Sequence, residues 1–267
     1  MKLSTSLEQL LFSTIRIETR LSDDTFADGT AFIYEYSTED NTYPFLITTR
    51  HLIEKASEGR MTLMQGQNRS PILGKGYTLD IDNFSKLWFS HPDEVSNVAV
   101  TPFVPFVKHV ENSGISIFYQ ALNEAALCNV ETQSNIHIGE EVLYLGYPRN
   151  CWDTKHLVST VRRGMIALPY DLEYQGKRQV LLDTQVLQGS SGSPVFLRAN
   201  GFNESSDNTL LGFLTNLPEL QESESDLPDT QETWIENPMS ESQLGLMVKI
   251  DIAVETIVAY LQEKGFI

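Results

Sequence analysis

The sequence has few cysteines, few basic residues and no long apolar run, and each shortage excludes a class of protein. Only Cys128 and Cys151 are present among 267 residues, which excludes a disulfide-stapled secreted domain and favours a reducing, cytoplasmic setting. Lys and Arg number 19 against 36 Asp and Glu, a formal net charge of −17. This balance argues against a nucleic-acid or membrane partner. No stretch reaches the roughly 18 apolar residues of a membrane span, and residues 1–8 do not have the pattern of a signal peptide.

The histidines also exclude a class of site, because none of the five stands at a metal-ligand spacing from another ligand. We therefore expect no metal and no cofactor. The hydrophobic content of 41% is enough to bury a large core, so we expect one globular body. A capping-box pattern at Thr5 and Glu8 predicts a short first helix. Asp251 is the expected cap of an amphipathic C-terminal helix that has Ala253 and Ile257 on its apolar face.

The motif most indicative of chemistry is Gly189-Ser190-Ser191-Gly192-Ser193-Pro194, which lies between two apolar runs. Small residues on both sides of Ser191 let the backbone turn tightly, because glycine accepts positive φ and the close approach of another chain segment. Such a turn can aim two backbone N–H groups at one point beside the serine oxygen, as an acyl-transfer site requires. Glycine- and serine-rich loops are also common between ordinary strands, so the motif alone leaves both interpretations open.

A histidine far upstream supports the catalytic interpretation. Phe45-Leu46-Ile47 is typical of a buried strand, and Thr48-Thr49-Arg50-His51 follows it. A lone histidine at a strand end is usually an ordinary one, but in a chain with the Ser191 turn it is a candidate general base. His51 precedes Ser191 by 140 residues, which is the order of the chymotrypsin type among the convergent triads.

Taken together, these motifs resemble the trypsin-like (chymotrypsin-fold) serine peptidases, and most of all their short bacterial, Deg-like branch. Asp28–Ile33 resembles the Gly-Ser/Thr-Gly-Phe-Val strand of that family, and Ile47–His51 resembles its Thr-Ala-Ala-His segment. Val142–Pro148 resembles its Val-x-x-x-Gly-Tyr/Asn-Pro element. Gly189–Pro194 resembles Gly-Asn/Asp-Ser-Gly-Gly-Pro, and Leu210–Thr215 resembles the strand that lines the substrate cleft. The segments follow the order of the family across nearly the whole chain.

The resemblance implies an all-β fold of two six-stranded antiparallel β-barrels with a C-terminal helix. We expect a single peptidase domain over residues 1–267, with an N-terminal barrel at 1–112, a C-terminal barrel at 130–250 and the helix at 251–264. The resemblance further implies a serine endopeptidase that acts on protein or peptide substrates, with a regulatory protein as a possible further partner. The alternative is a catalytically dead module of the same fold that binds peptides or proteins.

The resemblance also assigns roles to residues. Ser191 is the expected nucleophile, His51 the expected base, and the N–H groups of Gly189 and Ser191 the expected oxyanion hole. By the spacing of the family, Gln185 stands at the floor of the specificity pocket, and Thr215 and Asn216 stand on its wall. No carboxylate stands at the floor position, which argues against a preference for Arg or Lys.

The third triad position departs from the family. The family has an aspartate followed by hydrophobic-Ala-hydrophobic, and the matching segment here is Asn97-Val98-Ala99-Val100. Asparagine brings no charge to stabilise an imidazolium, and its amide can donate to the histidine and favour the wrong tautomer. The sequence therefore predicts a slow enzyme, a pseudoenzyme, or an enzyme that recruits another carboxylate, for which Asp93 and Glu94 are the nearest candidates.

One long segment has no positive charge. Lys and Arg are absent between Arg198 and Lys249, and residues 218–243 are polar, acidic and contain three prolines. This composition predicts a mobile surface insertion. Because it directly follows the strand that lines the cleft in the family, we expect an acidic flap beside the cleft.

Overall fold

The computed structural model describes residues 3–128, 130–198, 208–215 and 243–267. The expected acidic flap lies outside these ranges except for its last residue, and so does Asn216.

The first half of the chain folds into one antiparallel sheet. Its strands have the order β5-β4-β1-β2-β3-β7-β6. The elements are α1 (Ser6–Leu10), β1 (Thr14–Leu21), β2 (Phe26–Ser37), β3 (Thr42–Thr49), α2 (Arg50–Ile53), β4 (Ala56–Gln67), β5 (Ser70–Asp82), β6 (Phe89–Ser90), β7 (Val98–Pro102) and α3 (Val104–Glu111). The capping box that the sequence predicts at Thr5 and Glu8 is confirmed at the start of α1.

This sheet is not the closed six-stranded barrel that the sequence predicts; it has seven strands and is open. Strand β6 contains only two residues and pairs with β7. Before it, the chain leaves β5 through a 3-10 turn at Phe84–Leu87. The Phe84 ring lies against Gly59 of β4, in the space that a Cβ atom there would occupy. A buried ring at this point directs the chain away from β5, so that β5 and β6 do not pair.

The second half forms a closed barrel of six strands, as the sequence predicts. Its strands have the cyclic order β10-β13-β12-β11-β8-β9. The elements are α4 (Val130–Ser134), β8 (Glu141–Gly146), β9 (Thr160–Ile166), β10 (Gln179–Asp183), β11 (Pro194–Leu197), β12 (Thr209–Thr215), β13 (Leu244–Lys249) and α5 (Ile250–Glu263). The Ser191 turn connects β10 to β11 and is therefore anchored on both sides by barrel strands.

Helix α5 packs across both halves. Ala253, Ile257 and Leu261 are buried in one apolar cluster with residues of the sheet and of the barrel, such as Phe45 and Phe213. The helix begins one residue earlier than the sequence predicts, because Lys249 is its N-cap and Asp251 lies inside its first turn. With 14 residues, α5 is the longest helix in the described part of the chain. Neither α5 nor any other described helix is long and apolar enough to cross a bilayer.

Candidate active site

Strand register brings His51 and Asn97 together. Thr49 at the end of β3 pairs with Val98 at the start of β7, so the residues on either side of this pair are also neighbours. The Arg50 N–H donates to the Asn97 carbonyl at 3.1 Å, and His51 follows on the short helix α2. Asn97 itself has a φ of 52°, a left-handed conformation that asparagine tolerates better than most residues.

The Asn97 side chain contacts His51 through both of its polar atoms. Its Oδ1 accepts from the His51 backbone N–H at 3.0 Å. The same Oδ1 lies 3.3 Å from His51 Nδ1. The Asn97 Nδ2 lies closer to His51 Nδ1, at 3.0 Å, and 2.7 Å from Thr215 Oγ1. Because a backbone N–H can only donate, it requires the amide oxygen of Asn97 on its own side. The Nδ2 group therefore faces the imidazole.

The shorter contact, from Nδ2, favours one tautomer of His51. A neutral imidazole that accepts at Nδ1 has its proton on Nε2. A general base for a serine needs the opposite arrangement, with a proton on Nδ1 and a free lone pair on Nε2. Asn97 thus stabilises the tautomer that cannot take a proton from a hydroxyl through Nε2. An aspartate at the same position would accept from Nδ1–H instead.

Two nearby carboxylates have partners of their own. Both oxygens of Asp93 accept within its own turn, from the Val95 N–H at 3.1 Å and from the Ser96 hydroxyl at 3.2 Å. Glu54 forms an ion pair with Arg50 at 3.0 Å. The side chain of Glu94 lies outside the described atoms. The geometry therefore favours Asn97, and not Asp93, as the neighbour that controls His51.

Burial lowers the pKa of His51 below its usual 6.5, and the hydrogen bond with Asn97, whose Oδ1 lies 3.3 Å from His51 Nδ1, and the charge of Glu54 oppose this shift. The base must be neutral to act, and a lower pKa keeps it neutral to lower pH. We therefore expect the acidic limb of the reaction of Ser191 with a fluorophosphonate to lie below pH 6.5. In Asn97→Asp the limb moves to higher pH, because a carboxylate stabilises the imidazolium. Labelling rates between pH 4.5 and 8 test both statements, and a downward shift in the variant would contradict them.

The Ser191 turn is held by its carbonyl groups. Four consecutive carbonyl oxygens, those of residues 188–191, each accept a hydrogen bond. The Gln188 carbonyl accepts from the Arg149 N–H at 2.7 Å, and the Ser190 carbonyl accepts from the Ser193 N–H at 3.0 Å. Thr30 donates to the other two, from Oγ1 to the Gly189 carbonyl at 3.0 Å and from its N–H to the Ser191 carbonyl at 2.8 Å. In a trans peptide the N–H points opposite to the carbonyl of the preceding residue. The N–H groups of Gly189 and Ser191 are therefore directed away from Arg149 and Ser193.

Two glycines make this turn possible. Gly189 has a φ of +91° and Gly192 a φ of +86°, which favour glycine strongly. A Cβ atom on Gly189 would meet the Tyr147 carbonyl oxygen, and one on Gly192 would meet the Thr30 carbonyl oxygen. Gly189 and Gly192 are therefore needed because a side chain would not fit, and not only because glycine has a flexible backbone.

The turn docks on the sheet that carries His51. Thr30 of β2 binds the Ser191 carbonyl, and its own carbonyl accepts from Thr48 Oγ1 at 2.7 Å. Thr48 lies three residues before His51. Ser191 is 5% exposed and His51 is half-buried. Thr30 and Thr48 thus link the Ser191 turn to the strand that leads to His51.

Gln185 and Thr215 are the two residues expected in the specificity pocket that the structure describes. Gln185 is exposed, and its carbonyl accepts from Arg162 Nη1 at 2.8 Å. Thr215 is 1% exposed and binds Asn97, so it belongs to the surroundings of His51. Within the described ranges, no group of three or more His, Cys, Asp or Glu could hold a metal ion, and neither Cys128 nor Cys151 forms a disulfide.

Sequence reasoning missed the part played by Thr30 and Arg149. The sequence marks Thr30 only as one residue of the Asp28–Ile33 strand motif. Its hydroxyl partners are 159 and 117 residues away in the chain, so no local pattern marks it. The signal available was a hydroxyl residue between Gly29 and Ala31 in a strand that is apolar from Ala31 to Ile33.

No protein-family model matches the chain, and no curated protein matches it in sequence. Solved structures do. The HtrA-type protease AlgW with a tripeptide superimposes with a TM-score of 0.53 at 15% identity, over 99% of this chain and 65% of that one. The serine endoprotease from Yersinia pestis gives 0.51 at 15% identity, over 98% and 69%. HL collagenase gives 0.51 at 11% identity, over 98% and 96%. This chain thus spans about two thirds of the AlgW chain, and it has the fold of HtrA-type and other chymotrypsin-fold serine proteases.

Proposed function

We propose that the protein is an intracellular serine endopeptidase whose activity Asn97 holds at a low level. The observation that carries the proposal is the Ser191 turn, in which hydrogen-bonded carbonyls and two positive-φ glycines direct the Gly189 and Ser191 N–H groups as an oxyanion hole requires. The fold of HtrA-type serine proteases supports it. The two unbridged cysteines support the intracellular setting.

The proposed reaction is acyl transfer. Ser191 Oγ attacks the carbonyl carbon of the scissile peptide while His51 Nε2 takes the hydroxyl proton. The N–H groups of Gly189 and Ser191 stabilise the oxyanion. His51 then gives the proton to the leaving amine, and water releases the acyl group by the same steps. Each cycle requires the His51 tautomer with its proton on Nδ1, which Asn97 disfavours.

The substrate class is a protein or peptide. The formal net charge of −17 favours neutral or basic peptides over acidic ones. We propose that residues 1–267 form one peptidase domain, with the halves at 1–112 and 130–250 meeting at the site. No nucleic acid or membrane takes part in this function. A regulatory protein that turns the Asn97 amide away from His51 would raise the activity.

A second candidate is a peptide- or protein-binding module without catalysis. The hydrogen bond from Asn97 Nδ2 to His51 Nδ1 favours it, because that bond opposes the general base. The positive-φ geometry at Gly189 opposes it, because a binding module has no need of an oxyanion hole. Reactivity of the serine distinguishes the two.

We expect a fluorophosphonate to label Ser191 slowly in the unmodified chain. Ser191→Ala should abolish labelling, whereas Ser190→Ala should retain it, because Ser191 is the central serine of the Gly-x-Ser-Gly-x-Pro motif and Ser190 is only 1% exposed. Mass spectrometry of the labelled peptide identifies the residue. Labelling that survives Ser191→Ala would mean that another serine is the nucleophile. Absence of labelling both in the unmodified chain and in Asn97→Asp would favour the binding module.

A further inference from the structure

Thr30 is the residue through which the sheet holds the Ser191 turn. Its N–H donates to the Ser191 carbonyl at 2.8 Å, and its hydroxyl donates to the Gly189 carbonyl at 3.0 Å. The hydroxyl also accepts from the Tyr147 N–H at 3.1 Å, and the Thr30 carbonyl accepts from Thr48 Oγ1. Thr30 has no exposed surface. All four of its hydrogen bonds are therefore shielded from water.

The direction of the Thr30 hydroxyl proton is fixed by its partners. The Tyr147 N–H can only donate, so the hydroxyl accepts from it and gives its single proton to the Gly189 carbonyl. Space around the hydroxyl is also limited, because a Cβ atom on Gly146 would lie 2.8 Å from Thr30 Oγ1. The hydroxyl thus has one available orientation.

Gly189 depends on this hydroxyl more than another residue would. Its backbone lies between two held carbonyls, that of Gln188 on the Arg149 N–H and its own on Thr30. Together these bonds restrict φ and ψ of a residue that otherwise has the widest conformational freedom. Without the hydroxyl, φ and ψ of Gly189 are less restricted, and the direction of its N–H depends on the Arg149 bond alone.

We propose that Thr30 is a positioning residue for the oxyanion hole, acting through the Gly189 carbonyl. The inference rests on the proposed function. It adds that the sheet which carries His51 also sets the direction of the Gly189 N–H. The base and the oxyanion hole are therefore aligned through one residue of β2.

The test compares Thr30→Val with Thr30→Ser, both in the Asn97→Asp background. Valine has nearly the shape of threonine but has no hydroxyl, whereas serine keeps the hydroxyl and loses only the methyl group. We expect phosphonylation of Ser191 by a fluorophosphonate to be about 10- to 100-fold slower in Thr30→Val. Thr30→Ser should stay within about threefold of its parent. Melting temperatures show whether each variant is folded under the conditions of the labelling reaction. If Thr30→Val does not fold, Thr30→Ala takes its place in the comparison.

Equal labelling rates in Thr30→Val and Thr30→Ser would overturn the inference. The amide ¹H–¹⁵N resonance of Gly189 gives a readout that does not depend on activity. It should shift in Thr30→Val and stay near its original position in Thr30→Ser. If the Asn97→Asp parent is not labelled at all, the proposed function fails, and this resonance alone decides the positioning role. An unchanged resonance in Thr30→Val would then reject it.

Discussion

Asn97→Asp is expected to raise the acylation rate of Ser191 by up to about 10⁴-fold near neutral pH. The carboxylate would occupy the place of the amide, next to the His51 backbone N–H, to His51 Nδ1 and to the Thr215 hydroxyl, and all three can donate to it. It would reverse the tautomer preference of His51 and would add a charge that stabilises the imidazolium in the transition state. The gain should appear in kcat more than in KM, because this interaction strengthens only as His51 becomes protonated.

Turnover of a peptide ester by Asn97→Asp and by the unmodified chain measures this effect. Asn97→Ala is the matched control, because it removes the Nδ2 donor without adding a charge. A gain in Asn97→Asp far above that in Asn97→Ala would attribute the effect to the charge. Equal rates in Asn97→Asp and the unmodified chain would show that Asn97 does not control the base.

Gly189→Ala is expected to slow phosphonylation by about 10²- to 10³-fold in the Asn97→Asp background, the loss that follows removal of one oxyanion donor. Gly189 has a φ of +91°, and an added Cβ would meet the Tyr147 carbonyl oxygen. The turn must shift to relieve that contact, and the Gly189 N–H shifts with it.

Gly139→Ala separates backbone strain from displacement of the turn. Gly139 has a φ of +86°, and a Cβ atom there would have no neighbour within 4 Å. It should therefore lose about 1–2 kcal/mol of unfolding free energy and keep its labelling rate. Thermal unfolding and labelling of both variants test the pair. Equal rates in the two variants would indicate that Gly189 supplies no donor to the transition state.

Local patterns predicted much of the fold. The capping box at Thr5 and the apolar spacing of Ala253 and Ile257 located the first and last helices, because both signals repeat within one or two turns of the chain. The segments Val142–Pro148 and Leu210–Thr215, which overlap β8 and β12, came instead from the family resemblance. The glycines of the Ser191 turn were also predictable, since φ above zero at two positions leaves few other residues.

Long-range pairing was beyond the sequence pattern. Alternation predicts a strand but not its partner, so the open edge between β5 and β6 was not foreseen. That edge depends on Phe84 packing over Gly59 of a different strand. The expected pocket position of Gln185, which is exposed, came from the spacing of the family alone and stays a prediction.

The sequence by itself determined the candidate nucleophile turn, the histidine and the absence of a carboxylate at residue 97, because these are matters of residue type and order. Only the tertiary structure decided what Asn97 does to His51. The amide is oriented by the His51 backbone N–H and by Thr215, which is 118 residues away. In the same way, the Gly189 carbonyl is oriented by Thr30, 159 residues away. A hydrogen bond depends on distance and direction in space, and those are set only when the sheet and the barrel pack together.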